Sequence, residues 1–209
     1  MGELKIACMT IGVCQTNCYF AYREGEKEVM VFDPADRGAD IYRAITSKGF
    51  EIGVILLTHA HFDHIWGAQE LRARSGAKLY AHEAEQALCE SSELNISKQA
   101  GRACTIKPNH YLKDGETVTV GGLSCKVIAT PGHTAGGCCY YFEEDKKLIS
   151  GDTLFLESVG RTDFPTGSMS TLVRSIREKL MVLPDDVKVY PGHGDTTTIG
   201  FEKENNPFL

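Results

Sequence analysis

Apolar and polar positions along this chain change their period repeatedly, and each change marks a candidate element. Leu4 to Met9, Asn17 to Arg23 and Glu28 to Asp33 are short β-prone runs separated by glycine or charged turns, the pattern of an antiparallel meander closed by Asp33-Pro34. Residues 38 to 48 switch to helical spacing, with Ile41, Ala44 and Ile45 on one stripe and Gly49 at the end. Val54 to Leu57 is an unbroken apolar run and reads as a buried strand; a helix through Trp66 to Arg74, stopped by Gly76, follows it. Lys78 to Ala81 returns to a strand and Glu83 to Cys89 to a helix. The first half therefore alternates strands and helices after its meander.

Residues 90 to 112 are polar and weakly periodic, and we expect a flexible, lid-like insertion there, because loops of that length are uncommon without a function. Thr117 to Val120 and Leu123 to Ala129 then form a hairpin around Gly121-Gly122. Gly137 to Phe142 and Lys147 to Ser150 are two further strands, with Tyr140 and Tyr141 as core filler, joined by the acidic turn Glu143-Glu144-Asp145. Ser168 to Leu180 is amphipathic, with Leu172, Val173, Ile176 and Leu180 on one side, and Val187 to Tyr190 is the last strand.

Chemistry collects where these strands stop. Val54-Ile-Leu-Leu-Thr ends in His59, His61, Asp63 and His64, donors that Zn²⁺, Fe²⁺ and Mn²⁺ accept. On an extended segment His59 and His61 share a face and can grip one ion, whereas a helix starting near Asp63 turns Asp63 and His64 towards a second. The zinc-protease signature H-E-x-x-H is absent. Two later strands repeat one device: Val127-Ile-Ala-Thr-Pro-Gly-His133 and Val187-Lys-Val-Tyr-Pro-Gly-His193 each end in a Pro-Gly turn and a histidine. Ile149-Ser-Gly ends in Asp152. Donors at several strand ends converge if those ends share one edge of a sandwich. The isolated His82 and His110 are expected at the surface.

Composition narrows the function. The chain has 209 residues, 42% of them hydrophobic, enough core for one domain spanning 1–209. A net charge of −6 and a pI near 5.7 disfavour nucleic acid and leave a small molecule as the expected partner. No apolar run reaches the roughly 18 residues of a membrane span, and the opening Met-Gly-Glu-Leu-Lys-Ile lacks a signal-peptide pattern, so no membrane partner and a cytoplasmic location are expected. The eight cysteines include no C-x-x-C pair and read mostly as small buried hydrophobes in a reducing compartment.

Taken in order, Thr58-His-Ala-His-Phe-Asp-His64, Pro131-Gly-His-Thr134, Gly151-Asp-Thr-Leu-Phe155 and Pro191-Gly-His-Gly194 resemble the metallo-β-lactamase fold superfamily over nearly the whole chain. The resemblance implies an α/β (α+β) fold, the αββα four-layer sandwich of two mixed β-sheets with helices outside and metals at one edge. It implies that His59, His61 and His133 hold one ion, that Asp63, His64 and His193 hold a second, and that Asp152 bridges them. Within the superfamily the chain is most similar to the glyoxalase II-like hydrolases, in particular their short bacterial members. That likeness implies hydrolysis of a small thioester or ester by a hydroxide shared between two divalent ions. Zinc is the first expectation, with Fe²⁺ or Mn²⁺ as alternatives, and Asp63 is the expected proton acceptor. Aspartate at 152, where many true β-lactamases carry cysteine, turns the expectation away from antibiotics.

Glyoxalase II grasps glutathione with a C-terminal helical domain, for which the tail from Gly200 to Leu209 is no substitute, so the thiol half of the substrate stays open. Val159-Gly-Arg-Thr-Asp-Phe164 also resembles a segment of the persulfide dioxygenases, which use a single Fe²⁺ on His59-, His133- and Asp152-type ligands. Oxidation of a persulfide therefore stands beside hydrolysis, with lactone hydrolysis a third reading. Arg161 is expected to pair with Asp163 and fix the loop after Asp152; contact with substrate is the alternative role for Arg161.

Overall fold

The structure, a computed structural model, describes residues 2–209. Strands β1 (Leu4–Ile11), β2 (Thr16–Arg23) and β3 (Glu28–Phe32) form the expected antiparallel meander, and β4 (Glu51–Leu56), β5 (Lys78–His82) and β6 (His110–Leu112) continue the same sheet in parallel. Parallel neighbours need a crossover, and α1 (Gly38–Thr46) supplies it between β3 and β4, while α2 (Phe62–Ile65) and α3 (Ala68–Ser75) supply it between β4 and β5.

The second sheet contains β7 (Thr117–Val120), β8 (Leu123–Ala129), β9 (Cys138–Phe142), β10 (Lys147–Gly151), β13 (Lys188–Pro191) and β14 (Thr197–Thr198), in the order β14-β13-β10-β9-β8-β7. A short ribbon, β11 (Leu154–Phe155) with β12 (Ser158–Val159), follows β10. The second sheet is mixed as well, because β10 and β13 run parallel across the helix α4 (Met169–Ser175).

Both sheets are buried on both faces, which produces four layers. Met30, Phe32, Leu56, Val127, Tyr140, Phe142 and Ile149 fill the space between them. Ile41, Ile45, Leu71 and Leu79 pack beneath the helices of the first sheet, and Leu148, Leu172, Ile176 and Val189 beneath those of the second. Tyr140 crosses the central layer: its ring lies 5.3 Å from that of Phe32, and its hydroxyl donates to the Leu57 carbonyl at 2.7 Å, one residue before the histidine loop begins. This is the αββα sandwich expected. No helix among the described residues is long and apolar enough to cross a membrane.

Several local expectations need correction. The helix expected to begin near Asp63 and run through Trp66 to Arg74 is two pieces, Phe62–Ile65 and Ala68–Ser75, because the Gly67 N–H leaves the helical ladder and donates to the Pro34 carbonyl at 2.9 Å. Residues 90 to 112 are not a lid. Asn95 and Ser97 are fully buried and bond the Cys104 carbonyl, Trp66 Nε1 and Arg72 hold the carbonyls of Arg102 and Lys107, and the segment ends as β6. The Asn95 carbonyl accepts from Phe62 N–H at 3.0 Å, so this stretch buttresses the histidine loop from behind. His82 is buried, and its Nδ1 accepts from Ala84 N–H; His110 is exposed, as expected, and pairs with Glu116. The C-terminal helix α5 (Ile199–Asn205), too short to show a period, is absent from the sequence reading.

Candidate metal centre

The backbone leaves β4 at Leu56 and bends over the edge of the sandwich before α2, so the histidine loop lies on that edge rather than in a strand. His133 follows β8, Asp152 follows β10, and His193 follows β13, and all three ends reach the same place. The structure brings together His59, His61 and His133; His59, His64 and Asp152; and Asp63, His64 and His193, with the donor atoms in each group within 4.8 Å of one another. All seven expected donors thus converge.

In the first triad, His133 Nε2 lies 2.9 Å from His61 Nδ1 and 3.2 Å from His59 Nε2. The hydrogen-bond network assigns the protons. His133 Nδ1 donates to the Arg161 carbonyl at 2.6 Å, which leaves its Nε2 a bare lone pair. Thr58 Oγ1 spends its own hydrogen on Asp33 Oδ2 and therefore accepts from His59 Nδ1 at 3.1 Å, so His59 Nε2 is bare too. Two lone pairs facing each other at 3.2 Å repel unless a cation lies between them. That separation is close to the roughly 3.4 Å edge of a tetrahedron of nitrogens about 2.1 Å from a zinc ion. Burial, reinforced by the neighbouring imidazoles, keeps all three rings neutral: His59 is pushed well down, His133 down, and His61 to about 3.

The second group is charged. Asp152 Oδ1 is 3.4 Å from His64 Nε2, and its Oδ2 is 3.5 Å from His193 Nε2 and 3.6 Å from His133 Nε2, so one carboxylate faces both groups. Asp63 Oδ2 is 3.3 Å from His193 Nε2 and 3.7 Å from His64 Nε2. Burial works against protonation of His64 and His193, yet the surrounding carboxylates outweigh it and raise both. The same imidazoles hold Asp63 and Asp152 below the ordinary carboxylate range although burial opposes it. His61 Nε2, His64 Nε2 and Asp152 Oδ1 are buried without a hydrogen-bond partner. Buried polar atoms are normally paired, so two orphans facing each other at 3.4 Å, His64 Nε2 and Asp152 Oδ1, fit a site built for cations.

The positioning residues were not singled out by sequence. Asp33 sits in the left-handed region (φ 49°) beyond β3, and its carboxylate accepts from Thr58 N–H, Thr58 Oγ1 and His64 Nδ1 at 2.8, 2.7 and 3.0 Å. It thereby turns the His64 lone pair towards the mouth. Thr16 Oγ1 donates to Asp63 Oδ2 at 3.2 Å, and the Cys14 carbonyl accepts from His193 Nδ1 at 3.2 Å. Asn17 ties down the loop around His193 through the carbonyls of Pro191, Gly192 and Gly194. Gly192 cannot be larger, since a Cβ there would fall 2.2 Å from Asp152 Oδ1. Glu85, fully buried, links the two histidine loops, with burial raising its carboxyl to about 7 against three hydrogen-bond donors. The expected Arg161–Asp163 pair forms, bidentate at 2.7 Å, and the guanidinium also covers the Phe164 ring, which packs edge-on against His61.

A sandwich with histidine and aspartate donors gathered at one edge defines the class of metal-dependent hydrolase folds. Residues 11–193 match the family model described as the metallo-beta-lactamase superfamily, and the chain belongs to that family. It is 34% identical over 213 residues to a curated relative, "Hydroxyacylglutathione hydrolase GloC" of Haemophilus influenzae, covering 99% of this chain and 98% of that one. Among solved structures it resembles "BLEG-1 B3 metallo-beta-lactamase" (TM-score 0.93, 38% identity, 98% and 99% of the two chains). It also resembles "TTHA1623 in a di-iron-bound form" (TM-score 0.86, 33% identity, 97% and 100%).

Proposed function

We propose that this protein hydrolyses a small thioester or ester and that two divalent metal ions serve the reaction. The observation that carries this reading is the completeness of both donor groups, with the buried, unpartnered His64 Nε2 and Asp152 Oδ1 facing each other at 3.4 Å. His59, His61 and His133 would hold the first ion and Asp63, His64 and His193 the second, with Asp152 shared. Bound there, a pair of divalent ions supplies Lewis acidity, lowering the pKa of water from near 16 towards about 7 and polarising the scissile carbonyl. Zinc fits these nitrogen and oxygen donors, and so does iron, which the relative solved in a di-iron-bound form supports.

The chain's own groups do the rest. Asp63, oriented by Thr16, accepts the proton released by the attacking water. His133 and His59, each with Nδ1 committed to a fixed partner, stay neutral through turnover. A thiolate departs without protonation, so no strong general acid is needed. Phe164 beside His61 and Phe155 beside His193, ring centroids 5.5 and 6.3 Å away, form apolar walls for the acyl and thiol halves of a small-molecule substrate. Arg161 stands at the rim and would meet a substrate anion by exchanging Asp163 for it.

One observation favours a second reading, persulfide oxidation at a single iron: the segment Val159 to Phe164 sits on the first triad through the Arg161 carbonyl and Phe164. The test is metal analysis with paired assays. Two equivalents of metal with hydrolysis of S-lactoylglutathione or a simpler thioester support hydrolysis; one iron with oxygen uptake on glutathione persulfide overturns it. Turnover of a chromogenic cephalosporin in place of any thioester would move the activity to that of the lactamase relative.

A further inference from the structure

The first three imidazoles come from two loops far apart in sequence, and the imidazoles that meet between those loops, nitrogen to nitrogen at 2.9 and 3.2 Å, do not tie the loop backbones together. Glu85 does. It ends the short helical turn after β5, and its side chain is fully buried. Oε1 accepts from the N–H of Ala60, the residue between His59 and His61, at 2.8 Å. Oε2 accepts from Thr134 Oγ1 and Gly136 N–H, both at 2.9 Å, in the loop that carries His133. Gly136 allows this approach: a Cβ there would lie 2.2 Å from the Glu85 backbone nitrogen.

We infer that Glu85 is a positioning residue for the first metal ion, its carboxylate fixing the separation between the His59–His61 loop and the His133 loop. The geometry explains why a carboxylate is required. An uncharged amide has one acceptor oxygen, so whichever way glutamine is turned, its NH₂ meets either the Ala60 N–H or the Gly136 N–H. One loop then has to draw back, and with it one corner of the triad. Residues that orient metal ligands from outside typically contribute about 10–100-fold to affinity. The inference rests on the proposed metal centre, and Glu202 supplies its control. Glu202 is equally buried and also joins separate segments, accepting from Thr197 Oγ1, Glu157 N–H and Asn206 Nδ2 at 2.5, 3.0 and 2.8 Å, with none of these residues in the mouth.

The experiment is competition for Zn²⁺ and Co²⁺ against a chromogenic chelator, with melting temperatures alongside. Affinity at the first triad is read in a His193→Ala background and at the second group in a His61→Ala background. Glu85→Gln should weaken the first ion about 10–100-fold and the second by less than about threefold. Glu202→Gln should lower the melting temperature and leave both affinities unchanged. Thr134→Val, which removes one of the three donors, should weaken the first ion about threefold to tenfold, and it decides the matter if Glu85→Gln does not fold. Wild-type affinity in the Glu85 and Thr134 variants, or equal losses at both ions, overturns the inference and makes Glu85 a fold residue like Glu202. Wild-type stoichiometry separately tests the two-ion reading: a single equivalent sinks that reading, and the Glu85 comparison is then made on that one ion.

Discussion

The two halves of the mouth use histidine in opposite ways. In the first triad burial and the neighbouring imidazoles outweigh the one carboxylate that reaches it, Asp152, so proton affinity is suppressed, and His59 and His133 are steadied by neutral groups, the Thr58 hydroxyl and the Arg161 carbonyl. In the second, His64 and His193 face Asp63 and Asp152, with Asp33 behind His64, and their proton affinity is raised. One half presents lone pairs at a spacing set by the backbone; the other attracts positive charge of any kind, proton or metal. A buried imidazole is therefore a ready ligand or a competing base according to whether burial or the surrounding carboxylates prevail.

Removing metal erases the difference and should have the largest effect. Dialysis against a strong chelator is expected to reduce thioester hydrolysis to background, and adding back Zn²⁺ or Fe²⁺ one equivalent at a time should restore it only at the second equivalent. Full recovery at the first equivalent would break the two-ion comparison. Asp63→Ala comes next. Loss of the proton acceptor and a second-group donor should lower kcat about 10²–10⁴-fold while circular dichroism stays that of the folded protein, and retained turnover would remove Asp63 from the reaction.

Asp33→Asn sharpens the contrast from outside the mouth. The asparagine NH₂ would donate to His64 Nδ1, force the proton onto Nε2 and remove the lone pair, so affinity for the second ion should drop about 10–100-fold with the first almost unchanged. Acid should also separate the halves. Metal-free His64 and His193 bind protons more readily than ordinary histidine and His61 does so only near pH 3, so as pH falls protons should displace the second ion before the first. Metal release followed by stopped titration at stepwise lower pH checks the order; simultaneous release would contradict it. Thr16→Val should have the smallest effect, about threefold to tenfold on kcat, through the loss of one hydrogen bond to Asp63.

The chemistry was legible because its residues stand at strand ends, where an apolar run stops on a donor. His59, His133, Asp152 and His193 each mark such a stop, and the chain's ordering of them already resembled one family. The four-layer sandwich was legible through that resemblance, since the apolar and helical periods alone gave only a meander followed by alternating strands and helices. Asp33 and Glu85 gave no such signal. One follows a strand in a common turn and the other closes a polar helical turn, and in sequence neither differs from a surface acid. Residues 90 to 112 misled for the same reason: polarity reads as exposure, but Asn95 and Ser97 are buried by satisfying backbone groups.

By itself, then, the sequence determined which side chains are offered, because residue type and local period are properties of neighbours along the chain. Only the tertiary structure decided how each one behaves. Whether an imidazole is neutral or charged, and which of its nitrogens is bare, depends on burial and on partners tens of residues away, and those distances exist only after the two sheets have packed.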